Sequence, residues 1–197
     1  MLNVGIFLFN GIELLDFAGP YEVFSVATEL HNYQLFNVFT ITEDGADIRS
    51  VNGLRVIPDY DFKNHPHIDV LIVPGGNGTK TEMNKDVVLQ WLEKQNNNSQ
   101  ITMSICSGTR LLGKIGLLDN LKIITHHEVI ADMQEITPTA IIEERVRFVD
   151  NGKILTSAGI SAGIELSLYV VAKLYGKEVA DKTAIYMEYG NWEELQK

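Results

Sequence analysis

Cys106 is the only cysteine among 197 residues. It stands in "QITMSICSGTRLLGKIG" (100–116), where an apolar run gives way to Ser107-Gly108. Small residues on both sides would allow a sharp turn from strand to helix that presents a nucleophile, the cysteine counterpart of the serine-hydrolase elbow. A helix N-terminus there would favour the thiolate, which is the reactive form of the side chain. The competing reading is a small core residue, because free cysteines are among the most buried residue types.

Two other segments carry related chemistry. In "VPGGNGT" (73–79), Gly75 and Gly76 can turn backbone N–H groups into a crevice, where with the Ser107 N–H they would form an oxyanion- or thiolate-stabilising hole. In "LLDFAGP" (14–20), Asp16 lies among Leu14, Leu15 and Phe17. It is either the cap of the following helix or an acid raised by burial and able to exchange a proton with a thiol or substrate. Glu13 competes for that role. His126 and His127 follow "LKIIT"; on an extended chain they face opposite sides, so at most one is expected to reach a shared site. His65 and His67 flank Pro66 in a polar loop and read as surface residues. No Cys-x-x-Cys or His-x-x-x-His spacing occurs, so no metal is expected. The glycines match neither a dinucleotide fingerprint nor a P-loop.

The elements that must position these residues alternate. Apolar runs at 2–9 ("LNVGIFLF"), 33–42, 69–73 and 100–105 read as strands. Between and after them come helical patterns: one entered around Pro20, one over "NKDVVLQWLEKQNNN" fraying into its Asn run, and one from about Ser107 to Ile115. "LKIIT" reads as a short strand and "HEVIADMQEI" as a helix, and two amphipathic helices close the chain. Hairpins are expected at Asn52-Gly53 and at Asp150-Asn151-Gly152. This order implies βαβ units and a mostly parallel sheet between helices, with ligands at the carboxyl ends of the strands. No repeat or domain break is visible, so residues 1–197 read as a single domain.

Bulk composition narrows the partners. Hydrophobic residues are 45% and charged residues 21%, and the formal net charge is −10. That balance suits a folded domain and disfavours nucleic acid, since no basic cluster is present. "LNVGIFLF" is too short to span a membrane and lacks a basic leader, and a lone cysteine suits a reducing cytoplasm.

Together "GIELLDFAGPYEVF", "DVLIVPGG", "SICSGTRLLGKIGLL", "ITHH" and "TSAGISAGIELSLYVV" resemble the ThiJ/PfpI superfamily, the class I glutamine-amidotransferase-like fold, over essentially the whole chain. The "LLDFAGPYEVF" form looks most like its isocyanide (isonitrile) hydratase branch, a form shared with sensor domains of AraC-type regulators. The resemblance implies a flavodoxin-like three-layer sandwich with Cys106 as elbow nucleophile and Asp16 as first-loop acid. It places the oxyanion glycine at Gly75 or Gly76 and the family histidine at His126. It further implies a homodimer acting on a small molecule without metal or organic cofactor. The implied reaction is hydro-lyase chemistry, adding water to R–N≡C to give an N-substituted formamide. Glyoxalase- or deglycase-like action on α-oxoaldehydes, or a redox or ligand sensor without turnover, are the alternatives. Ser107 replaces the histidine that follows the nucleophile in protease-like members. No His-x-Glu pair follows His127, so protease and amidotransferase activities are disfavoured. The chain ends at Lys197 after "NWEELQK", which is expected to leave no room for a helix-turn-helix module.

Overall fold

The computed structural model describes residues 1–195; the last two positions of the expected domain lie outside the described residues. Seven strands form the central sheet in the order Phe148–Asp150, Ile154–Ser157, Ile101–Ile105, Val70–Val73, Leu2–Phe7, Phe36–Thr42, Tyr60–Asp61. All neighbours run parallel except Phe148–Asp150, which turns back on Ile154–Ser157. The hairpin at 150–152 is therefore present, as is the antiparallel pair Ile48–Arg49 with Arg55–Val56 around Asn52-Gly53.

Every residue of Val70–Val73 and of Ile101–Ile105 is buried, as expected for central strands covered on both faces. One layer contains the Leu14–Glu29, Ala162–Tyr175 and Lys177–Tyr186 helices, which pack on each other and on the sheet. The other contains Asp86–Asn98, Thr109–Lys114 and Ile130–Ile136. Helices on both faces of a mostly parallel sheet give the flavodoxin-like three-layer sandwich.

Several local expectations are revised. The first helix begins at Leu14, six residues before Pro20, which lies inside it. Proline there forfeits the hydrogen bond that the Asp16 carbonyl would receive, but burial of Phe17, Pro20, Val23 and Phe24 holds the helix together. The run Asn96-Asn97-Asn98 does not fray. Asn96 is buried and its Oδ1 accepts from Thr102 Oγ1 at 2.9 Å, tying the helix end to the nucleophile strand. Of "LKIIT" only Lys122–Ile123 is strand, and it pairs with Ile141–Ile142 outside the main sheet. His65 is half-buried against Trp91, whose indole N–H donates to it at 3.3 Å, whereas His67 is exposed as expected.

Candidate active site

The strands Leu2–Phe7, Val70–Val73 and Ile101–Ile105 end side by side, and the loops that leave them build one site. Cys106 opens a single turn of 3-10 helix before Thr109–Lys114, with φ at +55°. A side-chain-bearing residue reaches that left-handed region only under strain. Two threonines hold it there: Thr125 Oγ1 donates to the Cys106 carbonyl at 2.9 Å, Thr109 Oγ1 reaches the same oxygen at 3.3 Å, and the two hydroxyls meet at 2.8 Å. The close approach of the helix to its neighbour strand requires glycine, since a Cβ on Gly108 would lie 2.1 Å from the Val73 carbonyl. Cys106 is only 6% exposed, yet it lines a cavity of about 330 Å³ open to solvent.

Asp16 is fully buried in the first turn of its helix. It is not that helix's cap: Glu13 holds the cap position, and the Asp16 carboxylate instead accepts the Gly75 N–H at 2.9 Å. The Cys106 side chain acts weakly on the same carboxyl, whose Oδ1 is buried without a hydrogen-bond partner. Burial, reinforced by the charge of Glu13, raises the Asp16 carboxyl from 3.8 to about 7 against the stabilising Gly75 N–H.

The thiol is pushed the opposite way from the expectation. Burial first, then the charge of Asp16, raise Cys106 from 9.0 to about 12. The N–H groups of Ile160 and Ser107 at the sulfur oppose this and do not prevail. One turn of 3-10 helix brings too little dipole to outweigh burial and the charge of Asp16. The two groups are one coupled system, whose first proton leaves near neutrality and whose second is held tightly.

The glycine N–H groups do not point at the sulfur as expected. Gly75 N–H is taken by Asp16, and Gly76 N–H donates to Ser107 Oγ at 2.8 Å. Both glycines are nevertheless sterically required. A Cβ on Gly75 would lie 2.5 Å from Ser107 N and 2.8 Å from Asp16 Oδ2; one on Gly76 would lie 2.4 Å from the Gly11 carbonyl. Of the three expected donors Ser107 alone lowers the thiol, and Ile160, absent from the sequence reading, acts in the same direction and more strongly. Ile160 also has positive φ (+50°), and its one sequence signal is its place in "TSAGISAG", directly after a strand end.

Glu13 and His126 line the same cavity, and His127 does not. Gly159 sets the His126 ring, since a Cβ there would lie 2.2 Å from its Cδ2. Arg110, 5% exposed, bonds Asp132 through Nε at 2.8 Å and Thr79 Oγ1 through Nη1 at 3.0 Å. Thr79 in turn donates to the Gly76 carbonyl at 2.7 Å, so this ion pair braces the glycine loop. Among the described residues no three His, Cys, Asp or Glu side chains come together as a metal site.

The pattern of the DJ-1/PfpI family matches residues 3–173. The chain belongs to the DJ-1/PfpI family. Among its relatives, the isonitrile hydratase of Pseudomonas putida is 30% identical over 189 residues, covering 95% of this chain and 78% of that protein. The HTH-type transcriptional regulator GbdR of Pseudomonas aeruginosa is 28% identical over 178 residues, 90% of this chain. The chain spans about half the length of that regulator, 48%. A THiJ/PfpI family protein from Pseudomonas syringae superposes with a TM-score of 0.85 at 24% identity, covering 95% of this chain and 75% of that one. Enzymes and DNA-binding regulators thus share this DJ-1/PfpI domain, and the expectation of no nucleic-acid partner does not follow from family membership. No described helix is long and apolar enough to cross a membrane.

Proposed function

We propose that this DJ-1/PfpI protein is a cysteine-dependent hydro-lyase that adds water to an isocyanide, with Cys106 as nucleophile and Asp16 as its proton-transfer partner. The reading rests on one observation: the only thiol lines a cavity sized for a small molecule, and behind it lies a fully buried carboxyl that accepts the Gly75 N–H and is raised to about 7. The similarity to isonitrile hydratase supports the choice of reaction.

The raised thiol changes the order of events. At neutral pH Asp16 is partly ionised and Cys106 carries its proton, so the carboxylate acts as general base while sulfur attacks the terminal carbon of R–N≡C. The C–S bond forms, and the proton taken by Asp16 is delivered to the same carbon, which gives the thioimidate R–N=CH–S–Cys106. Water then adds to that carbon: Asp16 takes one water proton and passes it to nitrogen. Collapse breaks the C–S bond, the remaining hydroxyl proton passes to the departing sulfur, and R–NH–CHO is released. The Ser107 and Ile160 N–H groups stabilise charge on sulfur at attack and departure. Gly75 and Gly76 act one step back, by orienting Asp16 and Ser107.

The protein is proposed to act in the cytoplasm as a single-domain homodimer without a cofactor; the exposed apolar residues Val51, Leu54 and Ile57 support the pairing of copies. The test is hydration of cyclohexyl isocyanide followed by formamide production. Cys106→Ala with an unchanged circular dichroism spectrum should lose turnover entirely, and retained turnover would exclude the mechanism.

A further inference from the structure

Beside the cysteine cavity lies a second one, of about 410 Å³, at the end of the Ile154–Ser157 strand. His126 and Ile160 line both, so the two spaces adjoin at these residues. The first cavity is edged by charged and polar groups: Glu13, Lys80 and Glu128. The second is mixed: hydrocarbon from buried Ile124, half-buried Ile130 and exposed Val146 stands beside Thr125, His127, Ser161 and the exposed carboxylate of Glu144. Its one arginine, Arg147, is already engaged, through Nε with Glu165 at 2.9 Å and through Nη2 with Ser161 Oγ at 3.1 Å. An anion there meets an engaged guanidinium and the Glu144 carboxylate, while an uncharged group can lie along Ile124, Ile130 and Val146.

The partition is built with care. The His126 ring lies so close on Gly159 that no Cβ fits, it meets the His127 ring tilted at 32° with centroids 4.3 Å apart, and its Nδ1 accepts the Glu128 N–H at 3.3 Å. A molecule attached at the sulfur and extending past Ile160 would enter the second cavity without displacing a charged group.

We infer that the second cavity is the subsite for the substrate's substituent, and that it selects uncharged hydrocarbon or aryl groups, on the order of a phenyl to a phenylethyl group in size. This rests on the reading of Cys106 as the reacting atom, and it names Val146 and Ile130 as specificity-determining residues. It also makes small substrates poorer than arylalkyl ones through KM rather than kcat, because the substituent is bound equally before and during reaction.

The experiment uses haloacetamides, which report access to sulfur whatever the natural reaction. Cys106 is alkylated with iodoacetamide and with N-(2-phenylethyl)iodoacetamide, each rate divided by that of free glutathione. In the wild type the phenylethyl reagent should be at least tenfold favoured and should saturate. In Val146→Trp, whose new ring would fill the cavity from an exposed position, the preference should vanish while the iodoacetamide rate is unchanged. Glu144→Trp, at the exposed rim, is the second variant should the first not fold. No preference in the wild type, or one that persists in both variants, overturns the subsite. Preference without isocyanide turnover leaves the subsite standing and removes the hydratase reading. Turnover whose KM ignores substituent size does the reverse.

Discussion

Gly75→Ala tests whether the glycine loop is what aligns the acid with the thiol. The added Cβ would meet Ser107 N at 2.5 Å and Asp16 Oδ2 at 2.8 Å, where ordinary contact begins at 3.4 Å. The carboxylate would have to retreat by roughly 0.6 Å and the Ser107 backbone by roughly 0.9 Å, distances that steep repulsion enforces. The retreat also breaks the 2.9 Å bond from Gly75 N–H to Asp16. Loss of a hydrogen bond to a charged acceptor costs about 1.5–3 kcal/mol and overpacking a further 1–3 kcal/mol, so a loss of about 3–5 kcal/mol is expected. For a chain of this size that lowers Tm by roughly 6–20 °C. Displacing a proton-transfer group by nearly 1 Å should cut kcat/KM about 100-fold. Thermal melts and isocyanide turnover are measured beside Gly152→Ala, whose Cβ meets nothing within 4 Å and whose only penalty is its φ of +87°. If Gly75→Ala melts and turns over like that control, the loop does not set the Asp16 position and the geometric argument fails.

Other consequences can be checked in the same preparations. Because burial raises Asp16 from 3.8 to about 7, the folded state holds a proton that the unfolded state releases between those values. Stability should therefore fall as pH rises from about 4 to 7, by up to roughly 4 kcal/mol. Asp16→Asn should flatten that slope and melt higher than the wild type at pH 8; a wild type whose Tm rises over the interval contradicts the raised acid. Turnover should climb with pH through about 7, as the Asp16 base ionises, and a rate already falling there would exclude that role. Thr125→Val removes the 2.9 Å bond to the strained Cys106 carbonyl and should cost about 1–3 kcal/mol with slower alkylation of the thiol; unchanged melting and alkylation would show that the elbow needs no such support. Asp132→Ala strands the buried Arg110 guanidinium and should cost about 1–3 kcal/mol, less than a fully buried pair because Asp132 is partly exposed, whereas Arg110→Met should cost less. Equal losses in the two variants would contradict the desolvation argument.

The main architecture was legible because its signals are local. Unbroken apolar runs mark strands covered on both faces, and Asn-Gly pairs mark the two hairpins. The elbow was legible for the same reason, since small residues flank Cys106 within five positions. What depends on distant contacts was not. Pro20 misplaced the start of the first helix, because its cost is offset by burial that no window of sequence displays. The edge strand Tyr60–Asp61 has only two residues; it is anchored by the Asp59 carboxylate accepting the Thr40 N–H and hydroxyl, a contact between positions nineteen apart. Within the site, the glycine N–H groups expected at the sulfur bond Asp16 and Ser107 instead. The residue types require close backbone approach, but only the fold shows that Asp16 and Ser107 are what approach. The sign of the thiol shift is of the same kind. A helix start after Cys106 suggests an acidic thiol, whereas burial and a carboxylate ninety residues earlier, which oppose it, act only on folding.

The central claim is that Asp16 and Cys106 titrate as one system in which the carboxylate holds the proton on sulfur. The most direct test is the pH dependence of Cys106 alkylation by iodoacetamide in the wild type and in Asp16→Asn. Part of the rise from 9.0 to about 12 belongs to burial, which the substitution leaves, and part to the carboxylate charge, which it removes. The account predicts a wild-type midpoint well above 9.0 and a fall of about one to two pH units in Asp16→Asn. Coincident midpoints, or a higher one in the variant, would show that the two groups are not coupled and would contradict the mechanism built on them.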